Sequence, residues 1–265
     1  METGLLAGRV PYIRGGSGPR EAVVFFGVNA LLRRLDRSSS PNRYACQAAR
    51  LLPGHRFTIL GYAGSSFDEI VRDMALVTPA PLDLVLGISF GGFVAMRFAA
   101  VYPMLVRRLV LLVSAHRFST EGSQRIKSQF RALERGDIPT LVRENALLFR
   151  RPWYNWLIRL KLWKEGSRIG REFRPPAAIL QDYRELFGPE FRNNAEYCKR
   201  ITSPTLVIGG TADQLFDRAA LEETAALIPG ARIELFEEET HMLPIERNRE
   251  LGWVITEFLE SNVTR

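Results

Sequence analysis

Leu82-Asp83-Leu84-Val85-Leu86-Gly87-Ile88-Ser89-Phe90-Gly91-Gly92-Phe93-Val94-Ala95-Met96 is the stretch that decides the fold. An apolar, β-prone run breaks there at Gly-x-Ser-x-Gly and restarts at helical period, which predicts a strand, a sharp turn and a helix. At the tip of such a turn Ser89 takes a strained backbone. Gly87 and Gly91 lack the side chains that would collide across so tight a corner. The bare pattern also fits an ordinary turn serine, but the strand–turn–helix context favours a nucleophile lifted above the end of a sheet.

Working outward, the 265 residues are 46% hydrophobic and 25% charged, enough for one sizeable core, or a core plus an insertion, and far from the composition of a disordered chain. Residues Gly8 to Gly18 read as an edge strand running into a glycine turn, and Ala22 to Phe26 as a buried strand ending at Gly27. Val28-Asn29-Ala30 is expected to form a loop above that strand end. A helix follows from Asn42 to Leu52, then a strand over Arg56 to Tyr62, and Ser66 with Glu69 makes a capping box. After the elbow come a buried strand over Arg108 to Val113, a sheet strand over Thr205 to Gly210, a helix from Asp217 to Ile228, a strand over Arg232 to Phe236 and a helix over Ile245 to Leu259. Short apolar strands alternating with helices predict an α/β fold, a mostly parallel central sheet covered on both faces. From Arg117 to about Arg200 helical period replaces that alternation, so residues 1–116 and 201–265 read as the core and 117–200 as an insertion.

A serine hydroxyl needs a base, and the base an orienting acid. Only three histidines are present. His55, in Pro-Gly-His-Arg before a strand, is expected in a surface turn at the opposite sheet edge. His116 follows a strand end and faces the same rim as Ser89, but precedes any acid in chain order. His241, in Glu-Thr-His-Met-Leu-Pro, follows the last strand and lies in a loop at the rim; alone it also fits a satisfied loop residue. Asp213, in Gly-Gly-Thr-Ala-Asp-Gln-Leu-Phe, stands four residues past a strand and also fits a turn residue bonding its own backbone. Asp217 already has a role as a helix cap. The order Ser89, Asp213, His241 is one known triad succession, with Asp213 accepting from His241 Nδ1 and Nε2 left to take the serine proton.

These residues resemble the α/β-hydrolase fold superfamily over nearly the whole chain: Ser89 in Gly-Ile-Ser-Phe-Gly, Asp213 in Gly-Thr-Ala-Asp-Gln-Leu and His241 in Thr-His-Met-Leu-Pro. The resemblance implies a serine hydrolase with a helical cap in the 117–200 insertion and no cofactor or metal. It implies an oxyanion hole of two backbone N–H groups, those of Phe90 and Val28. Where many members carry His-Gly, this chain has Phe26-Gly27; the donors are backbone groups, and Asn29 offers a side-chain alternative to Val28.

The net charge of +7 is not spread evenly. Arg117 through Arg174 holds fourteen basic and six acidic residues, +8, and leaves the remainder at −1. Trp153, Trp156, Leu157, Leu160 and Trp163 fall within an arc of about 120° on a helical wheel. Such a face fits a helix packed on the core, an acyl-binding lid, a membrane-surface helix or a docking face for an acidic carrier protein or coenzyme. Trp153 and Trp156, with Asn29 and His116, are the candidate substrate contacts. No nucleic-acid module is present. Cys46 and Cys198 lie in no ligand spacing and read as free, partly buried thiols in a reducing compartment. With an acidic second residue, no secretory h-region and no run of ~18 apolar residues, the expectation is a cytoplasmic protein. The first functional expectation is cleavage of an ester or thioester of an apolar acyl group through an acyl-enzyme on Ser89. The second is resolution of that acyl-enzyme by a substrate hydroxyl or amine, a cyclase or acyltransferase. A non-catalytic binding protein on the same fold is the third.

Overall fold

The computed structural model describes residues 1–32, 41–62, 66–78, 80–146, 156–157, 160, 173–188, 191 and 194–261. Eight strands form one sheet: β1 (Glu2–Leu6), β2 (Val10–Gly16), β3 (Arg20–Phe25), β4 (His55–Leu60), β5 (Leu84–Ile88), β6 (Leu109–Leu112), β7 (Thr205–Gly210) and β8 (Arg232–Phe236). Their spatial order is β1-β2-β4-β3-β5-β6-β7-β8, antiparallel for the first two pairings and parallel from β4 to β8. Parallel neighbours need crossovers, and the helices that supply them cover both faces. That burial explains why β5 (LVLGI) and β6 (LVLL) are apolar without alternation and fully buried. The α/β class and the mostly parallel sheet are those the sequence implies.

Around the sheet run α1 (Asn29–Leu32), α2 (Pro41–Leu51), α3 (Phe67–Leu76) and α4 (Phe90–Val101). Between β6 and β7 lie α5 (Thr120–Glu134), α6 (Ile138–Ala146), α7 (Pro176–Leu186) and α8 (Asn194–Lys199). Then come α9 (Arg218–Leu227), α10 (Leu243–Glu246) and α11 (Asn248–Ser261). Caps appear where the residue types require them. Ser66 Oγ accepts from the Glu69 amide at 3.2 Å, Ser119 Oγ from Gly122 at 2.8 Å and Asp217 Oδ1 from Ala220 at 2.9 Å. In the inserted segment, α8 packs on α4: Arg97 Nε donates to Asn194 Oδ1 at 3.1 Å, and Cys198 Sγ lies 3.4 Å from Met96 Sδ. The last helix of the insertion thus belongs to the layer covering the sheet. Arg174 ties the segment before α7 to α1 through its amide on Leu32 O at 2.9 Å, and its guanidinium pairs with the buried Asp182.

Four sequence expectations need correction. Residues Gly8 to Gly18 belong to a hairpin, not a single edge strand. Ala7 and Gly8 turn at φ 48° and 72°, and Glu2–Leu6, whose solvent-facing pattern hides it, pairs with β2. The Val28-Asn29-Ala30 loop instead opens a helical turn, Ala30 N donating to Gly27 O at 3.0 Å. The last helix is two, because Arg247 leaves helical geometry (φ −122°, ψ 30°) to bond the buried Glu239 at 2.9 Å. His55 is not a surface turn residue but is 4% exposed at the start of β4, its Nδ1 donating to Pro53 O at 3.0 Å.

The surroundings of His55 predict a pH dependence. Its Nε2 is buried with no partner among the described residues, so a proton added there would find no acceptor. Burial pushes the pKa below its usual value, Arg20 and Arg108 push the same way, and only the Pro53 carbonyl and Asp83 oppose them. The unfolded chain therefore binds this proton first, and stability falls as pH drops below about 6.5 toward the folded value. The urea midpoint of the native protein should decline from pH 7.5 to 5.5, and that of His55→Gln should decline less; equal declines would show that His55 does not titrate on unfolding.

Candidate active site

The elbow forms where three backbones converge. Ser89 sits between β5 and α4 at φ 55°, ψ −121°, a conformation that a side-chain-bearing residue holds only when its surroundings impose it. The imposing contacts are to the backbone of β3 and to the Ser114 side chain just past β6. A Cβ on Gly91 would lie 1.9 Å from Phe25 O, and one on Gly92 would lie 2.0 Å from Ser114 Oγ. Helix α4 therefore starts in contact with the ends of both β3 and β6. The Ser89 amide donates to Leu112 O at 3.0 Å, which fixes the turn to β6.

Two more residues reach this rim from the outer parallel strands of the sheet. Asp213 follows β7 and His241 follows β8, and the two loops are bonded to each other: Thr211 N donates to Phe236 O at 3.0 Å and Ala212 N to Glu239 O at 2.9 Å. Asp213 is buried, with Oδ1 accepting from the amides of Leu215 at 2.8 Å and Phe216 at 3.2 Å. That leaves Oδ2 for His241 Nδ1 at 2.8 Å, and a carboxylate acceptor puts the proton on Nδ1. His241 Nε2, now an acceptor, lies 2.8 Å from Ser89 Oγ. Phe216 supports the imidazole with its ring at 5.8 Å. The arrangement can remove the serine proton and stabilise the imidazolium that results.

Ser89 and His241 open into a cavity of about 150 Å³ whose wall includes Phe26, Gly27, Val28, Asn29, Ile88, Val113, Leu215 and Met242. Tyr44 and Gln47 of α2 complete it, with Pro244 and Ile245. Val28 and Asn29 thus line the site as the sequence suggests, and Phe90 begins α4 directly after Ser89. Neither the Val28 nor the Phe90 amide donates to an acceptor among the described residues. In the wall, Val113 adopts φ 45°, a strained value for a β-branched residue, with its amide held by Ile208 O at 2.7 Å. Sequence reading passed over Tyr44, Gln47, Val113 and Met242 because pocket membership arises from chain segments far apart and leaves no local pattern.

Two candidate contacts are corrected. His116 does not line the cavity; its Nδ1 and its amide both face Thr224 Oγ1, at 3.0 and 2.9 Å, and its carbonyl accepts from Asn194, so the β6 loop turns it toward α9. Trp156 is 62% exposed and absent from the cavity wall, with Leu157 and Leu160 also exposed. Trp153, Trp163, Arg150, Arg151, Arg159 and Lys161 lie outside the described residues. Cys46 is exposed and Cys198 buried, its thiol pushed up to about 12 by burial. Among the described residues there is no His/Cys/Asp/Glu cluster for a metal and no helix long and apolar enough to cross a membrane.

Comparison with known proteins identifies the fold. The sequence model of the alpha/beta hydrolase fold matches residues 37–248. The monoacylglycerol lipase ABHD6 of Bos taurus is 28% identical over 232 residues, 79% of this chain and 66% of that protein. The monoacylglycerol lipase abhd6-B of Xenopus laevis is 30% identical over 193 residues, 68% of this chain and 55% of the relative. The chain thus spans between half and two thirds of these relatives' length. Among solved structures, an esterase from Exiguobacterium antarcticum superposes with a TM-score of 0.72 at 18% identity, covering 95% of each chain.

The elbow makes a prediction about glycine. Gly91→Ala should lower the urea-unfolding free energy by about 1–3 kcal/mol or more, since the methyl meets backbone that cannot move aside. Gly8→Ala, with φ 72° but nothing within 4 Å, should cost about 1 kcal/mol. A similar loss in both would mean the elbow is not tightly packed.

Proposed function

The chain belongs to the alpha/beta hydrolase fold family, and from that membership and the Asp213–His241–Ser89 line we propose that it hydrolyses small neutral carboxylic esters through an acyl-enzyme on Ser89. The observation that carries the reading is one unbroken chain of hydrogen bonds, 2.8 Å from Asp213 Oδ2 to His241 Nδ1 and 2.8 Å from His241 Nε2 to Ser89 Oγ, ending in a cavity.

In this mechanism His241 Nε2 takes the hydroxyl proton as Ser89 Oγ attacks the ester carbonyl. Buried Asp213 steadies the imidazolium without itself taking the proton. The carbonyl oxygen becomes an oxyanion held by the Val28 and Phe90 amides, the pair free to donate there. Collapse breaks the bond to the alcohol oxygen, which leaves with the proton from His241. Water then gives a proton to His241, attacks the acyl carbon and releases the acid, while the returned proton restores Ser89.

The described cavity wall supports a neutral substrate. It holds no Lys, Arg, Asp or Glu, and its polar groups beside the triad are the uncharged Asn29, Gln47 and Tyr44. Its volume, about 150 Å³, is that of a benzene-sized guest, which favours a short acyl group. A charged thioester on a coenzyme or carrier would find no counter-charge in this wall. The relatives named as monoacylglycerol lipases act on a neutral ester by that name, which agrees with this substrate class.

A fluorophosphonate should add to Ser89 of the native protein and not to Ser89→Ala, read as intact mass; an unchanged native mass would overturn the enzyme reading. With p-nitrophenyl acetate, Asp213→Asn should lose about 10⁴-fold in kcat through the wrong imidazole tautomer, whereas Asp217→Asn should stay near the native value. Equal effects would move the acid elsewhere.

The native kcat/KM for that ester should also be insensitive to salt between 0.1 and 1 M and should fall with acyl length beyond about four carbons. Val113→Gly, which removes a side chain from the wall, should shift the optimum to longer chains. A preference of the native enzyme for an anionic thioester would refute the neutral-substrate assignment.

A further inference from the structure

Tyr62, two residues past the end of β4, has no part in the triad, yet it touches both Phe26 of the cavity wall and Phe90 directly after Ser89. Its hydroxyl donates to Phe26 O at 2.5 Å, and its ring meets the ring of Phe90 edge-on at 5.3 Å. We propose that Tyr62 is the positioning residue of the oxyanion hole: it holds the peptide from which the Gly27-Val28 turn departs and braces the residue that supplies the second amide.

Downstream of Phe26, the Gly27 carbonyl is held by the Ala30 amide at 3.0 Å and the Val28 carbonyl by the amides of Leu31 and Leu32 at 2.9 Å each. In a trans peptide C=O and N–H point in opposite directions, so fixing Gly27 O toward Ala30 turns the Val28 N–H away from α1. Gly27 itself packs on the nucleophile, a Cβ there lying 3.3 Å from Ser89 Cβ. The peptide upstream, Phe26–Gly27, has no such local partner. Its carbonyl is held across a separation of 36 residues by Tyr62 alone among the described residues. Without that bond the Phe26–Gly27 plane keeps only its packing against Gly91, and a shift of the shared Gly27 Cα displaces the Val28 amide, whose direction the Ala30 bond sets. Tyr62 is buried, and burial pushes its phenol well above the usual value, so the donor keeps its proton across any working pH. Ring contact with Phe90, which also stacks on Phe67 at 5.8 Å, holds the other donor from behind. The pairing accounts for the Phe26-Gly27 sequence: no side chain at position 26 is needed to shape the turn when a distant hydroxyl does so.

The proposal rests on the ester-hydrolase reading, and its test separates the two. Tyr62→Phe removes the hydroxyl and keeps the ring. With p-nitrophenyl acetate its kcat should fall about tenfold to a hundredfold with KM within twofold, since a misplaced oxyanion donor acts on the transition state. Affinity for a trifluoromethyl ketone, which forms an oxyanion on Ser89, should weaken by the same factor as kcat/KM. Tyr183→Phe is the control: it loses an equally buried hydroxyl bond, to Gln129 at 3.0 Å in the insertion, and should keep native kcat and ketone affinity. Native kcat and ketone affinity in folded Tyr62→Phe, or a loss expressed only in KM, would overturn the role of Tyr62. If Tyr62→Phe fails to fold, fluorophosphonate labelling of native protein still reports on Ser89, and Tyr62→Trp, also without the hydroxyl, repeats the comparison. Absence of ester turnover and of labelling in the native protein would overturn the hydrolase reading and this inference together.

Discussion

Ser89 keeps its strained backbone because α4 begins in direct contact with the ends of β3 and β6, and everything else at the site is placed relative to that contact. The spacing holds only with hydrogen in place of side chains: a Cβ on Gly87 would come within 2.7 Å of Gly92 Cα, and the clashes at Gly91 and Gly92 are shorter still. A positive φ at a non-glycine residue costs on the order of 1–3 kcal/mol, and the buried strands on either side supply the restraint. Parallel pairing of β5 with β3 and β6 puts all three carboxyl ends on one rim, where a doubly covered sheet leaves its crevice.

The same rule extends sideways. β7 and β8 continue the parallel order, so the loops after them reach the rim that carries Ser89. Gly210 allows the chain to pass under Glu239, where a Cβ would lie 2.1 Å from the carbonyl. The β7 loop then donates two backbone bonds to the β8 loop, and Asp213 meets His241 without either side chain having to search. A carboxylate with one oxygen committed to two amides has a single orientation left for the other.

A seam of aromatic rings continues from the triad into the insertion. Phe216, beside His241, stacks on Phe118 at 5.2 Å; Phe118 stacks on Phe191 at 5.2 Å; and Phe187 packs against Phe90 at 5.8 Å. Offset and edge-on rings bury large apolar areas in few residues. Ring contacts thus join the end of α7 to the start of α4.

The fold class was legible in the sequence, and so was the rim at which Ser89, Asp213 and His241 meet, because each carries a local signature: a glycine-framed turn, or a polar residue just past a buried strand. Elements that bury both faces announce themselves as unbroken apolar runs, as β5 and β6 do. β1 did not, since an edge strand exposed on one side needs no apolar period. His116 and Trp156 stand apart from the described cavity wall for a related reason: chain order gives the rim a residue stands on, but not the direction of its side chain. The wall formed by Tyr44, Gln47 and Val113, and the bond from Tyr62 to Phe26, join segments tens of residues apart and have no sequence period to betray them. The sequence by itself determined the fold class and the end of the sheet at which Ser89, Asp213 and His241 stand. Only the tertiary structure decided what surrounds them, because cavity shape and the hold on a backbone amide are set by packing between distant segments.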